Sequence, residues 1–229
     1  MTDGLHQLRP SGSKAERTRS TILEAAEQVF AEKGYAAARL EDVANRVGIR
    51  RASLVYHFRD KRALYDAVLG GVLGELLDRY RVVLREDTPW TGRLEGLVRA
   101  WVSFVGERPS LARLLLWEVA EASATSLAAR FIEPVMATLT ATIVDGQRQG
   151  AFRPVEPSHV IFALTGATIF FIAATPALSP DRHSSAPSRA ELSEFSDEIL
   201  AFARRLLERD AEHGGERRDE RLQSRSVTH

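Results

Sequence analysis

Residues Gly48 to Leu64, GIRRASLVYHFRDKRAL, decide the fold. A glycine that breaks one helix is followed within three residues by a short helix rich in DNA-compatible side chains. Immediately upstream, Leu40, Val43, Ala44 and Val47 fall at i, i+3, i+4 and i+7, so residues 40–47 form one amphipathic helix that Gly48 ends. Two short helices joined by a tight glycine turn make a helix-turn-helix, whose second helix enters the major groove of DNA.

Working outward, Ser13 and Glu16 have capping-box spacing, and Ile22, Ala26, Val29 and Phe30 carry helical periodicity to Gly34, predicting a first helix over 14–33. Three short helices need outside support. A fourth helix, capped by Asp60 and striped by Leu64, Val68, Val72, Leu76 and Val83, is expected to supply it and to tie head to body. Further helices are predicted after Pro89 to about Arg108, from Pro109 through Val119, over 126–149 with Pro134 starting or kinking it, and over 189–210. An apolar segment opens at Pro157, and a Ser/Pro-rich loop spans 179–188. The expected fold class is all-α, of about nine helices, with no alternating strand pattern. The expected organisation is a disordered arm over 1–12, a helix-turn-helix domain over 13–60, a helical ligand-binding and dimerisation domain over 61–210, and a charged, disordered tail over 211–229.

The formal net charge is zero, yet residues 1–65 carry twelve basic and eight acidic side chains, whereas the rest carries nineteen and twenty-three. Arg46, Arg50, Arg51, Arg59, Lys61 and Arg62 cluster on the helix-turn-helix, opposed within that stretch only by Asp60. With no cysteine, disulfides and Cys-based zinc sites are excluded. The N-terminal stretch lacks an apolar core, so no export signal and a cytoplasmic location are expected. The apolar run HVIFALTGATIFFIAA invites a membrane reading; its continuous apolar part is shorter than a span of about 20 residues, so a buried core or interface is expected instead. No phosphate-binding glycine loop, zinc-protease motif or nucleophile elbow is present and the six histidines are scattered, so no enzyme, cofactor or metal is expected.

The chain resembles the TetR family of bacterial regulators, through residues 21–35 (TILEAAEQVFAEKGY), Leu40-Glu41-Asp42-Val43-Ala44, Gly48-Ile49 and Tyr56-His57-Phe58-Arg59-Asp60-Lys61. It departs at Ala38, where a capping Thr is common, at Arg50, where Ser is common, and at Val55, where an aromatic is common. The resemblance implies a homodimer with a DNA-binding head and a body that binds a small molecule. The function expected is a repressor that binds a palindromic operator in double-stranded DNA and is released by an apolar or aromatic effector. An effector-independent regulator or an activator is the alternative, and an enzyme the remoter one.

For DNA, Arg50 and Arg51 sit where guanidinium groups reach guanine edges; Ser53 and Val55 suit a base, a phosphate or a thymine methyl. Tyr56, His57 and Lys61 match family positions that touch the DNA backbone, Arg39 follows the lost cap and can meet phosphate instead, and Arg17 and Thr18 are further phosphate candidates. His57 is equally read as a packed head residue, and Leu54 and Phe58 as core. For the effector, the resemblance points to Trp101, Phe104, Trp117, Phe131 and Met136, with Glu118 and Glu121 as carboxylates that suit a cation; plain core or a solvated face competes for each. A dimer bundle of the last two long helices would hide Phe162, Phe170, Phe171, Phe195, Ile199 and Phe202, with some of these serving the subunit's own core. Gly70, Gly71 and Gly74, each costing about 1 kcal/mol inside a helix, are read as a close contact or bend where head meets body.

Overall fold

The computed structural model describes residues 13–85, 87–120, 129–178 and 186–208. Among them are nine helices and no strand: α1 (Lys14–Ala37), α2 (Leu40–Val47), α3 (Arg51–His57), α4 (Lys61–Arg85), α5 (Trp90–Glu107), α6 (Pro109–Ala120), α7 (Ala129–Arg148), α8 (Pro157–Leu178) and α9 (Arg189–Leu207). The arm over 1–12 and the tail over 211–229 lie outside the described residues.

Local signals set most boundaries. Ser13 accepts from the Glu16 N–H and the Glu16 carboxylate accepts from the Ser13 N–H, closing the capping box that starts α1. Gly34 leaves helical geometry at φ 71°, as a terminating glycine should, but the chain makes a further turn to Ala37. Ala38 is buried, and the α2 cap falls one residue later, on Arg39, whose backbone N–H donates to Asp42 Oδ2 at 3.0 Å. The Arg39 side chain has no acceptor, so only one half of a capping box exists there. Gly48 takes the left-handed conformation at φ 75°, which closes α2 and turns the chain into α3. Asp60 Oδ1 accepts from the Ala63 N–H at 2.7 Å and caps α4.

Two apolar clusters result. The head core joins Ile22, Ala26 and Phe30 of α1, Val43 and Ala44 of α2, Leu54 of α3, and Leu64 to Leu69 of α4. The body core begins at Val72 on the same helix and gathers α5, α7, α8 and α9. One continuous α4 therefore carries side chains of both cores. Leu114 of α6 lies in the head core, and Phe131 and Ile132 of α7 touch both clusters.

The α8 helix corrects only the length assigned to its apolar run. It is continuous through Thr165, Gly166 and Thr168, and by length and composition (mean hydropathy 1.7 over Pro157–Pro176) it is long enough to cross a membrane. It is nevertheless packed against α5, α6, α7 and α9. The Thr165 and Thr168 hydroxyls donate to Ile161 O (2.7 Å) and Leu164 O (2.8 Å), so these polar groups are satisfied within the helix.

Candidate DNA interface and effector cavity

In the head, burial of Leu54 and Phe58 fixes how α3 faces outward. Arg50, Arg51 and Ser53 are exposed, Val55 and His57 half-buried, and Tyr56 is 85% exposed. A tyrosine so placed offers its ring and hydroxyl to a partner outside the chain. Arg17 and Arg39 are also exposed. The Thr18 hydroxyl instead donates to Lys14 O at 3.0 Å. The His57 carbonyl accepts from the Arg19 guanidinium at 3.3 Å, and that guanidinium lies 4.2 Å from the Phe58 ring centroid. The His57 position is thus held by a neighbour on α1.

The cationic cluster is more neutralised than its own stretch of sequence implies. Arg46 makes a two-pronged pair with Glu32 (3.0 and 2.8 Å), and its guanidinium holds the Glu32 carboxyl below the ordinary range. Arg51 pairs with Glu41 at 2.6 Å, Arg59 with Asp60 at 3.1 Å and Arg62 with Asp66 at 3.0 Å. Apart from Asp60, the opposing carboxylates come from α1, α2 and α4, outside residues 46–62. Among the described residues, Arg50 is the one member of the six with no ion pair or side-chain hydrogen bond.

Lys61 differs most from its expected place. Its ammonium donates to Tyr35 O (2.8 Å), Ala36 O (3.1 Å) and Ala38 O (3.0 Å), and lies 4.5 Å from the Tyr35 ring centroid. An ammonium has three donors, and all three are committed to the end of α1. This geometry is that of a clamp on the turn between α1 and α2.

In the body, α4 to α8 line a cavity of about 400 Å³. Its walls are overwhelmingly apolar, built from residues such as Leu76, Leu115, Ile132, Val135, Leu139 and Ile169. Among the described residues Glu118 is the one charged side chain in the lining, and its carboxylate accepts a hydrogen bond from the Tyr65 hydroxyl. A smaller void of about 40 Å³ adjoins it and shares Tyr80, Trp101, Leu139 and Thr165. Burial pushes the Tyr80 phenol well above its usual pKa, so it stays a neutral hydroxyl.

Of the residues expected to line the pocket, Trp101, Glu118 and Met136 do so. Phe104 does not: it is fully buried, with the Arg79 and Arg108 guanidinium groups 4.7 and 5.1 Å from its ring centroid. Trp117 is turned toward the head, 39% exposed, with Nε1 donating to Ala31 O at 3.3 Å. Phe131 packs on α4, where a Cβ added to Gly70 would come within 3.1 Å of its ring. Glu121 lies outside the described residues. The sequence reading missed Leu73, Leu76 and Tyr80, although their spacing of three and four on the α4 stripe already put them on one face.

The aromatic residues of α8 and α9 also separate. Phe171 and Phe195 stack within the subunit, centroids 4.0 Å apart and planes 5° from parallel, and Ile199 is buried beside the smaller void. These three pack within the subunit, as the sequence reading allowed for some of the six. Phe162 and Phe170 are 64% and 63% exposed, and Phe202 is exposed too.

A family model described as "Bacterial regulatory proteins, tetR family" matches residues 22–68, and one described as "Tetracyclin repressor-like, C-terminal domain" matches residues 91–197. The chain belongs to the TetR family. It is similar to the HTH-type transcriptional regulator RutR of Escherichia coli (strain K12), with 28% identity over 172 residues, 73% of this chain and 80% of RutR. The fold is shared with the ketosteroid transcriptional regulator KstR2 of Mycobacterium tuberculosis, at a TM-score of 0.66 and 22% identity over 88% of this chain and all (100%) of that one. It is shared too with FadR of Bacillus subtilis, solved in complex with stearoyl-CoA, at a TM-score of 0.63 and 15% identity over 80% and 96% of the two chains. The relatives of this TetR-family protein are regulators of transcription rather than enzymes.

Proposed function

We propose that this TetR-family regulator is a repressor that binds a palindromic operator in double-stranded DNA as a homodimer and is released by a small apolar effector. The observation that carries the reading is the position of α6. One side of it supplies Leu115, Glu118 and Val119 to the cavity wall, and another packs on α1 of the head. The Trp117 bond to Ala31 O and the Ser110 hydroxyl donating to Glu27 of α1 join the two. A guest that moves α6 therefore moves the head. Half-sites in adjacent major grooves lie about 34–36 Å apart, so a small change in head spacing ends simultaneous engagement of both.

In this reading residues 13–60 form the head and 61–210 the body of a cytoplasmic protein. Arg50 and Arg51 read base edges; Arg39, Ser53, Val55, Tyr56 and His57 complete the DNA-facing surface. The exposed Phe162, Phe170 and Phe202 on α8 and α9 form the core of the dimer contact, since three large aromatics on adjoining helices are costly to leave in water.

The test titrates purified protein against DNA from upstream of its own and neighbouring genes, in competition with random duplex at fixed salt. Competitor-resistant binding with a two-fold symmetric footprint is expected, and Phe170→Asp is expected to sediment as a monomer and lose it. Binding no tighter than to random duplex on every fragment, or an asymmetric footprint, refutes the reading.

A further inference from the structure

Granted the effector role proposed for it, on which this inference rests, the cavity limits the chemistry of its guest. Trp101 lines both the main cavity and the adjoining void, is only 7% exposed, and has an indole Nε1 that touches neither a hydrogen-bond acceptor nor solvent. Among the described residues it is the one buried side-chain polar atom without a partner. An unmade bond at a buried donor is expensive, and natural structures keep such groups where another molecule supplies the missing partner. The oxygen-bearing side chains that share the two linings, Tyr80, Glu118, Thr142 and Thr165, do not accept a hydrogen bond from it.

The rest of the lining limits the charge of the guest. Among the described residues it holds no Lys, Arg or His, and its single charged group is the Glu118 carboxylate. A carboxylate or phosphate brought inside would be desolvated with no cation to meet it and an anion in the same wall. We infer that the effector is a neutral molecule with an apolar body and one carbonyl or ether oxygen, and that this oxygen accepts the Trp101 Nε1 proton. A small turn of the indole toward the cavity it already lines makes the bond. The guest is held by apolar contact on most of its surface and oriented by that one polar contact.

The test uses three flat probes of nearly equal size: β-acetylnaphthalene, β-ethylnaphthalene and β-naphthoate. They differ only in carrying a ketone, a methylene or a carboxylate at one position. Each is titrated into full-length protein nitrogen-labelled at its tryptophans, whose indole signals come from Trp90, Trp101 and Trp117, with Trp101→Phe assigning the middle one. The ketone is expected to bind about tenfold tighter than the ethyl compound. It should shift the Trp101 indole proton downfield, while the ethyl compound should not, and naphthoate should bind more weakly than either. In Trp101→Phe, with the other two indole signals unchanged as the sign of an intact fold, the preference for the ketone should vanish. Equal binding of ketone and ethyl compound, with no downfield shift, overturns the proposal and leaves the cavity as an effector site. Naphthoate binding as tightly as the ketone overturns the claim of a neutral guest. No binding by any probe overturns the cavity reading itself.

Discussion

Replacing Lys61 with methionine separates two roles that the sequence alone merges. The side chain keeps its length and loses its charge. Three hydrogen bonds to the Tyr35, Ala36 and Ala38 carbonyls and one contact with the Tyr35 ring go with it. A charged hydrogen bond contributes about 1.5–3 kcal/mol when its partners are otherwise unmet. Here the carbonyls are partly open to water, so the loss for the set is about 2 kcal/mol. For a chain of this size that lowers Tm by about 4–8 °C, read by calorimetry or circular dichroism on the free protein. DNA binding of the folded variant, below its Tm, should keep the wild-type dependence of log affinity on log salt, because an ammonium committed to carbonyls releases no counterion from a phosphate. Arg50→Ala is the control. It carries no internal partner, so it should leave Tm in place and flatten the salt slope by up to about 0.9 if Arg50 meets a phosphate, or relax base preference if it meets a guanine. A Lys61→Met protein with unchanged Tm and a salt slope reduced by about 0.9 would refute the clamp and restore phosphate contact.

The same geometry sets other outcomes. Arg51→Ala should cost about 1–3 kcal/mol on the operator and little on random duplex, since its pairing with exposed Glu41 is easily exchanged for a base edge; equal losses on both DNAs would remove it from base reading. Gly71→Ala and Gly74→Ala should each raise stability by about 0.5–1 kcal/mol, because nothing lies within 4 Å of either added Cβ. If both variants also keep normal operator affinity and effector release, the bend attributed to these glycines does not exist and Gly70 against Phe131 is the only close approach in the cluster. The Arg79 guanidinium, with help from the Ser103 hydroxyl, holds the Glu107 carboxyl below its ordinary pKa. A carboxyl depressed on folding stabilises above its unfolded pKa and loses that contribution as pH falls through the folded value. Wild type should therefore lose more stability than Glu107→Gln as pH falls from neutral to below the ordinary carboxyl range, and parallel losses in thermal unfolding would dismiss the Arg79–Glu107 link as a contributor.

Most of the helical plan was legible in the chain because its signals are local. A capping box at Ser13, a glycine at Gly48 and apolar steps of three and four need only neighbours within a turn or two, and the same short range made the family motif readable. Beyond that range the sequence ran out. Arg46 and Arg51 look like free cations along the chain; Glu32 and Glu41 neutralise them only when separate helices are brought together, whereas Arg62 and Asp66 are i,i+4 neighbours on α4 and their pairing was readable from spacing. Lys61 occupies a position that the family motif assigns to DNA, and its commitment to the α1 carbonyls depends on a turn more than twenty residues away. Trp101, Phe104 and Trp117 are alike as apolar aromatics on neighbouring helices, yet one lines a cavity, one is buried against two arginines and one faces the head. Sequence periodicity states that a side chain turns inward; which neighbour it meets there is set by how the helices cross, and that is a property of the packed molecule alone.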